Sequence, residues 1–276
     1  MTIEKSKSPV EFAAFERTGW DANIAGYDRA FGAVARQTVV PLLDAAAVGR
    51  GSRVLDVCAG PGMLTAAALA RGAQAIGLDF SLTAVELARQ NVLGGRFEQG
   101  DAQSLPFPDR SFDAVVCGYG LMHVPEPGLA LAEMRRVLKT GGRAAVSVWD
   151  SAGVVFSLVY EAVRARGRLD VALPHGPDFF QFGTPAKMEA VLATVGFVDL
   201  AARSVAQSWR VDSADRYVEA ILSGTVRARA VLAAQTGTAA VAVRAYLAHY
   251  LERFRGSDGV YAVPMPAVIG SGVNAP

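Results

Sequence analysis

Cysteine is nearly absent from this 276-residue chain, which carries only Cys58 and Cys117. Two thiols cannot build a disulfide scaffold or a cysteine-rich zinc site. An excess of charge of either sign is missing too: 27 Lys plus Arg stand against 26 Asp plus Glu, a formal net charge of +1. A dedicated nucleic-acid binder carries a basic excess, so this balance argues against one. No apolar run approaches the roughly 18 residues that suggest a membrane span. The opening MTIEKSKSPVEF lacks the apolar stretch of a signal peptide. Internal repeats and low-complexity linkers are also absent. Together these absences predict a cytoplasmic protein in a reducing compartment. What is plentiful is apolar: 51% of residues are hydrophobic and 19% charged, enough for a large core. The length suits one large domain with additions better than two full domains.

Periodicity divides the chain. Residues 1–50 read as helical: from Phe12 to Val48 apolar residues recur at spacings of three and four, and Gly19, Gly26 and Gly32 are expected to break the run into short pieces. From 53 to 149 short apolar strands alternate with helical stretches. The strand segments are RVLDVCAG, QAIGLDFS, RFEQGDAQSL, FDAVVCGYG and RAAVSVW. The helical ones are GMLTAAALARG, LTAVELARQNVL and PGLALAEMRRVLK, with Pro127 near the start of the last and Gly141 and Gly142 past its end. This alternation predicts an α/β fold with a mostly parallel sheet covered on both faces. A helix over about 154–166, an aromatic loop LPHGPDFFQFG, a helix capped by Thr184 and Pro185, and a strand FVDLAARSVAQSWR follow. Residues 212–255 read as helical with a break near Gly237, and GVYAVPMPAVIGSGV offers a last strand.

The chemistry concentrates at the ends of the early strands. The stretch from Val54 through Asp56, Cys58, Ala59 and Gly60 to Gly62 joins a strand to a helix. Glycines there let the backbone approach a ligand. Asp79 ends the second strand, where a carboxylate can accept ribose hydroxyls, and Asp101 with Ala102 ends the third. In an open α/β sheet, ligands bind along that carboxyl edge. Thr65 stands where a dinucleotide fingerprint would place its third glycine, so NAD(P) binding is a weaker alternative, as is a flavodoxin-like fold with ordinary turn glycines.

These motifs resemble the class I S-adenosylmethionine-dependent methyltransferases, nearest to the ubiquinone and menaquinone C-methyltransferase group. The segments VLDVCAGPGMLT, AIGLDFS, GDAQSLPFPDRSFDAVVCGYGLMHV and LAEMRRVLKTGGR carry the resemblance. It covers residues 50–150 strongly and 10–50 weakly, through Trp20, Tyr27 and Asp28. The resemblance implies a Rossmann-like seven-stranded sheet with an antiparallel last strand, a helical N-terminal cap and a helical insertion before the last strand. Residues 1–50 are expected as the cap and 51–211 with 257–276 as the cofactor-binding domain, while 212–256, amphipathic and too long for a turn between the last two strands, reads as a lid. The Asp56–Gly62 loop would cradle the methionine and ribose parts of S-adenosylmethionine. Asp79, followed by Phe80, would take the ribose hydroxyls, Asp101 and Ala102 the adenine, and Gly118 and Tyr119 would line the methyl-transfer site. Tyr27 would touch the cofactor or pack as a hinge. The family often has glycine where this chain has Cys58.

The implied function is methylation of a small-molecule acceptor at carbon, oxygen or nitrogen, mainly by positioning and without a metal, by a monomer or homodimer. CGYGLMHV offers no acidic metal ligands after the fourth strand, and no Asn-Pro-Pro-aromatic segment of nucleic-acid amino-methyltransferases is present. A cofactor-binding protein that does not methylate, or a redox enzyme, are the alternatives. His123 is a candidate general base, with helix capping or packing as the plainer role. Trp20 reads as a packing anchor. Phe179, Phe180 and Phe182 with His175 either wall an acceptor pocket or pin a loop. Arg164, Arg166 and Arg168 read as a solvated helix end. Cys58 and Cys117 read as small buried apolar residues in strand termini. Ala240, Val243, Leu247 and Leu251 form one stripe of an amphipathic lid, or of a dimer surface.

Overall fold

The computed structural model describes residues 9–275. Residues 1–8, which hold most of the segment expected to lack a leader, lie outside the described residues.

The chain opens with α1 (Pro9–Ala35) and α2 (Val39–Ala45). Alternation then begins: β1 (Arg53–Val57), α3 (Met63–Ala70), β2 (Gln74–Asp79), α4 (Leu82–Asn91) and β3 (Arg96–Gln99). β4 (Phe112–Gly118), α5 (Pro127–Val137), β5 (Leu138–Trp149) and α6 (Val155–Arg166) follow. Next come α7 (Pro185–Thr194), β6 (Val198–Val205) and β7 (Ser208–Val211). Three helices, α8 (Ala214–Gly224), α9 (Arg227–Ala233) and α10 (Gly237–Leu251), precede β8 (Tyr261–Pro264) and β9 (Ala267–Val273).

Seven strands form one sheet in the order β3-β2-β1-β4-β5-β9-β6. All neighbouring pairs are parallel except those of β9, which runs antiparallel to β5 and β6. Side chains alternate across a strand, so consecutive apolar residues feed two cores. Val54, Ala114, Val116 and Ala145 pack on Leu42, Leu43, Leu64 and Ala68 of α2 and α3. Leu55, Val57, Val115 and Val146 join the core on the other side, with Leu131 and Met134 of α5 and Phe31 of α1.

Four sequence expectations change. First, the glycines do not break the N-terminal helix, which runs unbroken for 27 residues. A side chain on Gly19 would run into Val226, and one on Gly26 into the Ser223 backbone, so these glycines are where α1 and the α8–α9 segment approach closely. Second, the segment read as one strand up to residue 210 divides: β6 belongs to the main sheet, while β7 pairs with β8 in a separate two-stranded ribbon. Third, the tail therefore holds two strands rather than one, β8 in the ribbon and β9 in the sheet. Fourth, α5 ends at Val137, and the Gly141–Gly142 turn lies within the long β5 rather than in a loop before it. Helical periodicity and strand alternation saw each piece, but which sheet a strand joins is set by contacts distant in sequence.

Of the stripe read on α10, Val243, Leu247 and Leu251 are buried and Ala240 is half-buried, while Arg244, Glu252, Arg253 and Arg255 are exposed. Among the described residues no helix is long and apolar enough to cross a membrane.

Candidate active site

The strand order reverses between β1 and β4, and a cleft opens at the carboxyl ends of these two strands, the place where such sheets bind ligands. The loop after β1 forms its floor. Cys58, Gly60 and Gly62 all have positive φ, of 58°, 51° and 88°. Glycine adopts this region freely; Cys58 does so under strain, held by its place beside Gly120 and Cys117. Cys58 is thus no buried strand residue but a half-buried wall of the cleft, whose thiol pKa is pushed up by the Cys117 contact and by burial. Cys117 is buried as expected.

Two carboxylates face the cleft. Asp56 Oδ2 accepts the Thr65 backbone N–H at 2.9 Å and its hydroxyl at 2.7 Å, while Oδ1 is buried with no partner. Asp79 accepts backbone N–H groups from Gly60 and Ser81, each at 2.9 Å. Burial, with a smaller contribution from the charge of Asp79, raises the pKa of Asp56 to about 7, and burial raises that of Asp79 to about 6. Two desolvated, mutually repelling carboxylates suit a cationic ligand, and S-adenosylmethionine carries both an ammonium and a sulfonium. The unpartnered Asp56 Oδ1 is the kind of atom such a ligand completes. A Cβ on Gly60 would meet only Ile24, at 3.7 Å, so it would stand in the cleft and crowd the cofactor. The residues present fit this cofactor.

Tyr27, Asp56, Ala59, Gly60, Asp79, Phe80, Asp101, Ala102, Gly118 and Tyr119 line the cleft, as does His123. Gly62 does not. Its Cβ position backs onto Phe97 and Val92, each at 3.0 Å, beneath the loop. The two glycines therefore have different roles. Gly62→Val should lower the melting temperature sharply, by overpacking and by strain at its φ. Gly60→Val shares the φ strain but not the overpacking, so it should melt below the wild type yet remain folded, and lose the rise in melting temperature that S-adenosylhomocysteine gives the wild type. Equal behaviour of the two variants in thermal melts would contradict this division.

A second cavity of about 340 Å³ adjoins the cleft, within the usual range for small-molecule sites. Its walls include Phe12, Phe156, Phe179, Phe180 and Tyr160, with the α8–α9 junction from Gly224 to Ala228. Phe182 is buried in the core instead, and His175 is exposed and takes no part. Arg164, Arg166 and Arg168 are exposed away from both spaces. Trp20, Tyr27, Tyr119 and His123 border both the cleft and the cavity. Tyr119, at φ 57°, stacks on Trp149 with ring centroids 3.9 Å apart and anchors its hydroxyl on Thr38 and Gln207. Burial raises its pKa, so it stays protonated.

The sequence reading missed three residues of α1. Glu16 is buried against His123, Arg17 lies over the Phe80 ring at 5.9 Å, and Asp21 accepts the Ser81 hydroxyl. The available signal was a carboxylate at position 16 on the otherwise apolar Phe12-to-Trp20 face of a helix. Among the described residues no three His, Cys, Asp or Glu side chains gather as a metal site.

The sheet order and the cleft at its reversal define a nucleotide-cofactor-binding α/β protein. Comparison with known proteins narrows this. Residues 55–146 match the methyltransferase domain family. The demethylmenaquinone methyltransferase of Clavibacter sepedonicus is 37% identical over 137 residues, 49% of this chain and 53% of the relative. That of Mycobacterium sp. (strain KMS) is 33% identical over 165 residues, 59% of this chain and 69% of the relative. The chain thus spans about half the length of the first of these relatives and more of the second. Phosphoethanolamine N-methyltransferase 2 of Haemonchus contortus, solved with S-adenosylmethionine, shares the fold at a TM-score of 0.59 and 20% identity, over 96% of this chain and 60% of that one. The chain belongs to the class I S-adenosylmethionine-dependent methyltransferases, in the group of the demethylmenaquinone methyltransferases.

Proposed function

We propose that this protein transfers the methyl group of S-adenosylmethionine to a small, largely apolar aromatic acceptor. The observation that carries this reading is the junction of the two spaces: Trp20, Tyr27, Tyr119 and His123 separate a cofactor cleft from an aromatic-walled cavity. When bound, the cofactor supplies a methyl group already activated by its sulfonium. Asp56, Asp79 and Gly60 would hold it, with Asp101 and Ala102 at the adenine. The chain's own work is then to place the acceptor in line, at roughly 3 Å, and to exclude water, with no metal required. Quinols are the first acceptor class to try, because the relatives named above are demethylmenaquinone methyltransferases. Carbon, oxygen and nitrogen acceptors all suit the cavity's chemistry. The balanced charge and the aromatic-walled cavity favour a small metabolite over nucleic acid.

The test measures released S-adenosylhomocysteine across quinol, phenol, amine and fatty-acid panels. Turnover on any aromatic acceptor supports the proposal. S-adenosylmethionine binding without turnover on any panel would favour a non-methylating role, and nicotinamide binding in its place would favour a redox enzyme.

The 212–256 segment acts in this reading as a lid. α8 packs along α1, and the α8–α9 junction walls the cavity beside Phe179 and Phe180. Backbone hydrogen exchange in α8 and α9 should slow when S-adenosylhomocysteine and an acceptor bind. A stable dimer mapped to α8–α10, with no exchange response to ligand, would make this segment an interface instead.

A further inference from the structure

Glu16 is fully buried in α1, where carboxylates are almost never found without a partner. Its Oε2 lies 2.9 Å from His123 Nδ1 and accepts the Trp20 indole N–H at 3.2 Å. Trp20 follows one helical turn later, and its ring meets the imidazole edge-on with centroids 4.9 Å apart. Phe179 packs against the same imidazole at 5.7 Å. His123 is the only basic side chain paired with Glu16 among the described residues. The ring is thus clamped by a carboxylate, an indole and a phenyl group at the border of cleft and cavity.

We infer that Glu16 is a positioning residue for His123: it accepts the Nδ1–H hydrogen bond and leaves Nε2 unprotonated, as a base for the acceptor. The inference rests on the methyltransferase reading above. A carboxylate on Nδ1 fixes one of two tautomers and stabilises the imidazolium formed when Nε2 takes a proton. In the step itself, a bond forms between the acceptor atom and the methyl carbon as the carbon–sulfur bond breaks. Sulfur keeps that electron pair and becomes a neutral thioether. The proton of the acceptor's O–H, N–H or C–H passes to Nε2, and the resulting cation sits against Glu16. The acceptor class this serves is one that must lose a proton on methylation, such as a phenol or quinol. A tertiary amine or thioether, which has no proton to give, would draw nothing from the pair. Because α1 carries Glu16 as well as Arg17, which lines the cleft, docking of α1 would set the base and cover the cofactor together.

The experiment uses the full chain labelled with ¹⁵N-histidine. The other two histidines, His175 and His249, are exposed and serve as internal references. At pH 8, ring nitrogen shifts should show His123 as the Nδ1–H tautomer. Glu16→Leu, of similar size, should move it to Nε2–H, with thermal melts confirming that the variant is folded. Glu16→Gln keeps an acceptor and removes the charge. With 1,4-naphthohydroquinone, or the best acceptor of the panels, it should lower kcat at least about tenfold. Its S-adenosylmethionine dissociation constant and acceptor KM should stay within about twofold of the wild type. A wild-type His123 in the Nε2–H form, or a Glu16→Gln enzyme with unchanged kcat, would overturn the inference. If the expected tautomer appears but no acceptor is methylated, the pair stands as a structural fact and it is the methyltransferase reading that fails.

Discussion

Replacing His123 by alanine should lower methyl-transfer turnover by about 10²–10⁴-fold, the usual worth of a general base, with little change in cofactor affinity. It should also destabilise the protein. Alanine leaves the Glu16 carboxylate buried without the imidazole N–H it accepts, and leaving a buried acceptor unsatisfied costs about 1–3 kcal/mol, more where the group is charged. The two effects separate with a second variant. His123→Asn retains an N–H to offer Glu16 but has no basic nitrogen. It should melt closer to the wild type than His123→Ala while remaining as slow. Turnover by His123→Asn within threefold of the wild type would show that His123 packs and caps, and that catalysis is positioning alone.

Asp79→Asn should weaken S-adenosylmethionine binding by about ten- to a hundredfold, the loss expected when a charge-assisted hydrogen bond becomes neutral. Titration calorimetry reads this directly, and an unchanged dissociation constant in the folded variant would refute the ribose assignment. The wild type should add a pH dependence of definite sign. Burial raises the folded-state pKa values of Asp56 and Asp79 to about 7 and about 6, above the ordinary 3.8. Between pH 4 and 7 the folded, ligand-free protein then holds more protons than the unfolded chain. Its stability should fall as pH rises through that window and level off above it. The lowered carboxylates, Asp113, Glu133 and Glu252, act in the opposite sense but only near and below their ordinary values, so they do not interfere above about pH 5. Cofactor binding should run the other way, since a cationic ligand selects the ionised pair. The dissociation constant should rise as pH drops from 7.5 to 5.5, and Asp79→Asn should remove part of that slope. A ligand-free melting temperature that climbs from pH 5 to pH 7.5, together with flat cofactor affinity, would mean that the two carboxylates ionise freely and do not face the cofactor.

Much of the cofactor cleft was legible in the sequence because its parts are local. A glycine loop after an apolar strand, and acidic residues at successive strand ends, are features of short segments repeated at regular intervals. Their order places them on one sheet edge once the strands are parallel. Ten of the eleven residues expected to hold the cofactor line the cleft. The exception, Gly62, shows the limit: the sequence announces that a turn needs a glycine, but not whether the missing side chain makes room for a ligand or for Phe97. Cys58 shows it again, since a strained backbone at a non-glycine residue is visible only in the folded chain.

The acceptor side was far less legible. The aromatic loop stood out by composition, yet Phe179 and Phe180 wall the cavity while Phe182 turns into the core and His175 into solvent. Nothing in eleven consecutive residues distinguishes these fates, because they depend on what lies across the cavity. Glu16 and His123 are 107 positions apart, and each alone has a plain reading, as a helix-surface acid and a capping histidine.

The sequence by itself determined the alternation of strands and helices, the parallel sheet, the cofactor edge and the kinship with methyltransferases. The first three follow from hydrophobic period and turn chemistry within short segments, and the kinship rests on the resemblance of the motifs. Only the tertiary structure decided that three glycines lie within one continuous helix, two of them in its close contact with the α8–α9 segment. It also decided that one apparent strand serves two sheets, and that a buried carboxylate on the first helix meets the histidine after the fourth strand. Those outcomes come from packing between distant segments, where burial and close approach, not local preference, set the lowest free energy.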